Sequence, residues 1–69
     1  MLTGRVTAFD ERRGDGELLS DDGDALYFHC VAIADGSRTI AVGTLVTAER
    51  AVGRRGRDEA VHLVRQMTD

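Results

Sequence analysis

The chain has no lysine, one cysteine and only three aromatic rings, those of Phe9, Tyr27 and Phe28, among its 69 residues. A lone cysteine, Cys30, excludes an internal disulfide, which fits a reducing compartment, and a cytoplasmic location is expected. No apolar run approaches the ~20 residues needed to span a bilayer. The N-terminal segment, with Arg5 inside an alternating pattern, lacks the apolar core of a signal peptide, so no membrane association is expected. No stretch repeats apolar residues every three to four positions between caps, which excludes a helix of ordinary length. Internal repeats, low-complexity tracts and linkers are absent too, and residues 1–69 read as one domain.

Chemistry-bearing patterns are equally sparse. No serine, histidine and carboxylate set has the order of a nucleophilic triad, and no glycine-rich loop matches a nucleotide cradle. The cluster Asp21, Asp22 and Asp24 lacks calcium-loop spacing and a distal glutamate. His29, Cys30 and His62 are too few and too irregularly spaced for zinc. The Arg13, Gly14, Asp15 run spells a cell-adhesion tripeptide, but three-residue matches arise often by chance. The chain is therefore not expected to be an enzyme, and no catalytic residue, metal or cofactor is assigned.

Apolar alternation is what the sequence does contain. Arg5 to Phe9, Glu17 to Ser20, Ala25 to His29, Thr44 to Val52 and Ala60 to Val64 alternate as five strands. Asp22 and Gly23 predict a tight turn, with positive φ tolerated at both; residues 31–33 predict a short irregular crossing, and residues 53–56 a second turn. The inward set is Val6, Leu18, Leu26, Phe28, Ile33, Ile40, Val46, Ala48 and Leu63. A chain of this length buries only about 60% of its unfolded surface, and a closed barrel uses few apolar residues efficiently. Hydrophobic residues at 42% and charged residues at 30% suit a globular domain.

Gly4, Val6, Phe9, Gly14, Gly16, Leu18, Asp22, Gly23, Tyr27, His29, Ala32, Ile33, Gly36, Gly43, Val46 and Gly56 together form a pattern that resembles the bacterial cold-shock domain family. The resemblance spans nearly the whole chain without gaps until the last strand, where one extra residue near Asp58 or Glu59 is needed. It implies an all-β, five-stranded antiparallel barrel of the OB type that binds single-stranded RNA or DNA. Phe28 stands where the family usually has valine and Ala48 where it often has an aromatic, so the two are expected to exchange volume inside the barrel.

The resemblance also shows how far the binding face has changed. A lysine and an exposed tryptophan of the family's first strand are here Thr7 and Ala8, before a retained Phe9. The aromatic between the two glycines of the second strand is Asp15, and the phenylalanine after them is Glu17. The aromatic, valine, histidine, phenylalanine run of the third strand reads Tyr27, Phe28, His29, Cys30, and a loop phenylalanine after Gly36 is Ser37. Phe9, Tyr27 and His29 remain as stacking groups. Glu17 and Cys30 are expected on the outer face. Each stacked base is worth roughly 1–3 kcal/mol, so losing four rings removes several kcal/mol, and two of the replacements repel phosphate.

Charge is uneven along the chain. Residues 1–35 carry eight acids against three arginines, a balance of −5, whereas residues 36–69 carry six arginines against four acids, a balance of +2. All nine basic residues are arginine. Arginine stacks on bases and grips phosphate with two hydrogen bonds, so Arg12, Arg13, Arg38, Arg54, Arg55 and Arg57 offer compensation for lost rings; an origin in G- and C-rich codons explains the same bias without function. The candidate nucleic-acid-binding set is Phe9, Arg13, Tyr27, His29, Arg38 and Arg55, for a weakly binding RNA chaperone or transcription modulator. The alternative is a barrel that has lost nucleic acid and uses its face for protein contact. Phe9, Tyr27 and Cys30 beside acids suit a protein partner or a homodimer.

Overall fold

A computed structural model describes residues 1–52 and 58–66. Five strands, β1 (Leu2–Asp10), β2 (Asp15–Ser20), β3 (Ala25–His29), β4 (Leu45–Val52) and β5 (Asp58–Arg65), close into a barrel in the order β1-β2-β3-β5-β4. A 3-10 turn, Cys30–Ala32, follows β3 and starts the crossing toward β4. The predicted strands all form; β1, β2 and β5 begin two or three residues earlier than the alternation implies.

The expectation of a purely antiparallel barrel is corrected. Four pairs are antiparallel, but β3 and β5 run parallel, with Tyr27 opposite Glu59. The reason is geometric: strand directions cannot alternate around a closed ring with an odd number of members, so five strands need at least one parallel pair. An isolated parallel bridge between Ile33 and Leu63 extends this seam.

All nine residues expected inside are buried, and Ala60 joins them. Its inclusion follows from a bulge. Along β4 and β5, Glu49 pairs with Val61 and Thr47 with Val64, so β5 carries one extra residue at this point. His62 absorbs it with a φ of 54°, a left-handed conformation that costs a non-glycine residue about 1–2 kcal/mol. The bulge resets the side-chain phase, so Ala60 and Leu63, three apart, both face inward while His62 stays exposed. Pairing from Asp58 to Val61 is uninterrupted, and the register step lies at His62.

Turn chemistry closes the hairpins. Gly23 alone takes the positive φ, at 92°, in the β2–β3 turn, while Asp22 does not. The buried Ser20 hydroxyl accepts from the Asp24 N–H at 3.1 Å, which satisfies both groups. In the β1–β2 turn, Asp10 Oδ1 accepts from the N–H of Arg12 at 2.9 Å and of Arg13 at 3.3 Å, fixing the loop that presents Arg13.

Candidate nucleic-acid interface

The outer surface of β1 to β3 is laid out by a second bulge. Val6 pairs with Leu18 but Ala8 with Glu17, which leaves Thr7 as the extra residue of β1. Beyond it the phase reverses: Ala8 lies outside beside Glu17, and Phe9 turns to the side shared by Gly16, Leu18 and Phe28. The Phe9 ring stacks on Phe28 at 6.0 Å between centroids and 14° between planes.

Gly16 makes that stack possible. A Cβ there would lie 2.3 Å from the Ala8 carbonyl oxygen, 3.0 Å from the tip of Phe28 and 3.1 Å from the Phe9 Cα. The glycine is required by close packing between the strands. Phe9 is thus a half-buried ring packed against the core, with only part of it open to ligand.

Outside, a lateral row runs Ala8, Glu17, Tyr27, Glu59 across four strands, and next to it Asp10, Asp15, His29. Tyr27 therefore has a carboxylate-bearing register partner on either side. Its hydroxyl donates to Asp15 Oδ2 at 3.3 Å. Burial first, then the charge and hydrogen bond of Asp15 and the charge of Glu59, push the phenol above its ordinary range, against a smaller opposing pull from Arg13. Glu17 is exposed, as expected.

The predicted site residues fall into two groups. Phe9, Arg13 and Tyr27, with Asp10, Asp15 and Glu17, line a cleft of about 460 Å³. His29 and Arg38 line a separate groove of about 410 Å³ with Cys30, Val31, Ile33 and Ser37. Arg55 lies outside the described residues. The cleft and the groove share no lining residue.

In the groove, His29 Nδ1 accepts from the Val31 N–H at 3.3 Å and lies 3.7 Å from Cys30 Sγ, which in the neutral ring leaves Nε2 as the N–H donor. Cys30 corrects an expectation. The chain leaves β3 for the 3-10 turn at this residue, so Cys30 is half-buried against the core rather than on the outer face.

The arginines differ in what they can offer phosphate. Arg13 approaches Asp15 at 3.4 Å, Arg50 bridges Asp24 and Asp58 at 2.9 Å each, and Arg65 holds Asp35 at 3.1 Å. Arg5, Arg12 and Arg38 are exposed and make no ion pair with another described residue. Sequence reasoning missed Asp35 and Arg65. Arg65 also donates to the Thr39 carbonyl at 2.9 Å, so this pair ties the loop carrying Arg38 to β5. Hydrogen bonds from Ser37, then from Arg65, hold the Asp35 carboxyl down to about 2.

Compared with known families and curated proteins, the chain matches no family model and no curated sequence.

Proposed function

We propose that the chain is a cold-shock-like barrel of the OB type that binds single-stranded RNA or DNA weakly, as an RNA chaperone or transcription modulator. The observation that carries this reading is the alignment of Tyr27 and His29 on the outward side of one strand, leading into the groove that His29 shares with Arg38. Rings two residues apart on a strand offer neighbouring platforms for unstacked bases, and an arginine beside them neutralises phosphate. Arg38 is the candidate for that role because no described acid claims it.

Weakness follows from the same geometry. Phe9 spends most of its surface on the core, Arg13 is drawn toward Asp15, and Glu17 and Glu59 flank Tyr27. A polyanion meets a face with few free cations, and affinity gained by counterion release is correspondingly small.

A titration of labelled oligothymidine at low and moderate salt tests the reading. Binding is expected at low salt and should fall steeply as salt rises. Tyr27→Ala should cost roughly 1–3 kcal/mol, and Arg38→Ala should lower the salt slope by about 1. Absence of binding to oligothymidine and oligouridine at low salt would refute the proposal.

A further inference from the structure

The cleft on β1 to β3 has the opposite chemistry to a phosphate site. Parts of the Phe9 and Tyr27 rings line it together with the carboxylates of Asp10, Asp15 and Glu17, and among the described residues Arg13 is the only cation lining it. Its volume of about 460 Å³ is that of a ligand cleft rather than a packing gap. The Tyr27 hydroxyl is engaged by Asp15, so the ring has a fixed setting beside the acids.

An aromatic face attracts a cation through its quadrupole, and adjacent carboxylates add charge-assisted hydrogen bonds. Among side chains, arginine uses both at once, because the flat guanidinium stacks while its fork of N–H groups pairs with carboxylate. The carboxylate half of this is seen within the chain, where Arg13, mostly exposed, holds its guanidinium 3.4 Å from Asp15 at the edge of the cleft.

We propose that this cleft docks an arginine side chain from a basic segment of a protein partner, with Phe9 and Tyr27 contacting the guanidinium and Asp15 and Glu17 neutralising it. Charge complementarity selects the occupant. A second copy apposed through the same cleft would set acids against acids, which disfavours a two-fold dimer there; the occupant proposed is a basic segment of a different chain. The inference does not rest on nucleic-acid binding: it uses the carboxylates of the cleft, and shares only Tyr27 with the base-stacking surface proposed above.

The test is fluorescence anisotropy of the whole chain with a labelled glycine–serine peptide bearing one arginine, against the same peptide with neutral citrulline in its place. The arginine peptide should bind about tenfold more tightly or better, as expected of a cation meeting a ring and a carboxylate together. Paired Asp15→Asn and Glu17→Gln substitutions should abolish that preference, and Tyr27→Leu should reduce it severalfold with no change of charge. Asp21→Asn with Asp22→Asn, on the β2–β3 turn, should leave it in place. Amide shift mapping on the natural chain needs no variant and should move Gly16, Glu17 and Tyr27. Equal binding of the two peptides, equal loss from the Asp21 and Asp22 pair, or shifts confined to that turn would overturn the proposal.

Discussion

Replacing Asp15 and Glu17 together with phenylalanine should turn a weak binder of single strands into a strong one. Both positions face outward on β2, with Glu17 lying between Ala8 and Tyr27 and Asp15 opposite His29. The new rings would extend the Tyr27 and His29 platform across a second strand. At roughly 1–3 kcal/mol per stacked base, two rings are worth about 2–6 kcal/mol, or about 30-fold to 10⁴-fold in affinity. The exchange also releases Arg13 from its 3.4 Å approach to Asp15 and frees the Tyr27 hydroxyl. Stability should suffer little: Glu17 is exposed, and loss of the Tyr27 hydrogen bond costs about 1 kcal/mol. The control is Asp15→Asn with Glu17→Gln, which removes the same charges without adding rings. Its gain is electrostatic and should fade at moderate salt, whereas the gain from the rings should persist. The assay is the oligothymidine titration at two salt concentrations. A phenylalanine pair no better than the amide pair would refute the assignment of this face to base stacking, and with it the geometry of the outer row.

Two further predictions concern the barrel that carries the face. Gly16→Ala drives a Cβ to 2.3 Å from the Ala8 carbonyl and should cost about 1–3 kcal/mol or more in denaturant unfolding, because backbone cannot yield as a side-chain tip can. Gly23→Ala, with φ at 92° and no atom within 4 Å of the new Cβ, should cost only the conformational strain of about 1 kcal/mol; equal losses at the two sites would contradict the close approach of β1 and β2. Asp35 titrates near 2 when folded and near about 4 when unfolded, so its contribution to stability is complete above about pH 4 and disappears as pH falls through about 2. Asp35→Asn should therefore lower the melting temperature at neutral pH, converge on the natural chain as pH falls below about 2, and flatten the profile between; melts across that range check this.

Side-chain alternation was sufficient to find five strands and the seven of nine interior residues that lie on them, because apolar residues recurring at every second position can be buried together only on one side of a strand; Ile33 and Ile40 lie on the crossing from β3 to β4. The Asp22–Gly23 dipeptide was sufficient to identify a turn, and alternation to put Glu17 on the outer face. Alternation has no term for bulges. Thr7 and His62 are unremarkable strand residues in the sequence, yet each resets the phase of its strand, and only pairing with β2 and β4 reveals where. That is why Phe9 packs on Phe28 and leaves only part of its ring to the cleft, and why Ala60 went unrecognised inside the barrel. The parallel β3–β5 seam, the approach of Arg13 to Asp15, and the brace from Arg65 to Asp35 across 30 residues of chain arise only when the ring closes. Closure is a property of all five strands at once, so which charges meet and which rings remain open were decided by tertiary structure.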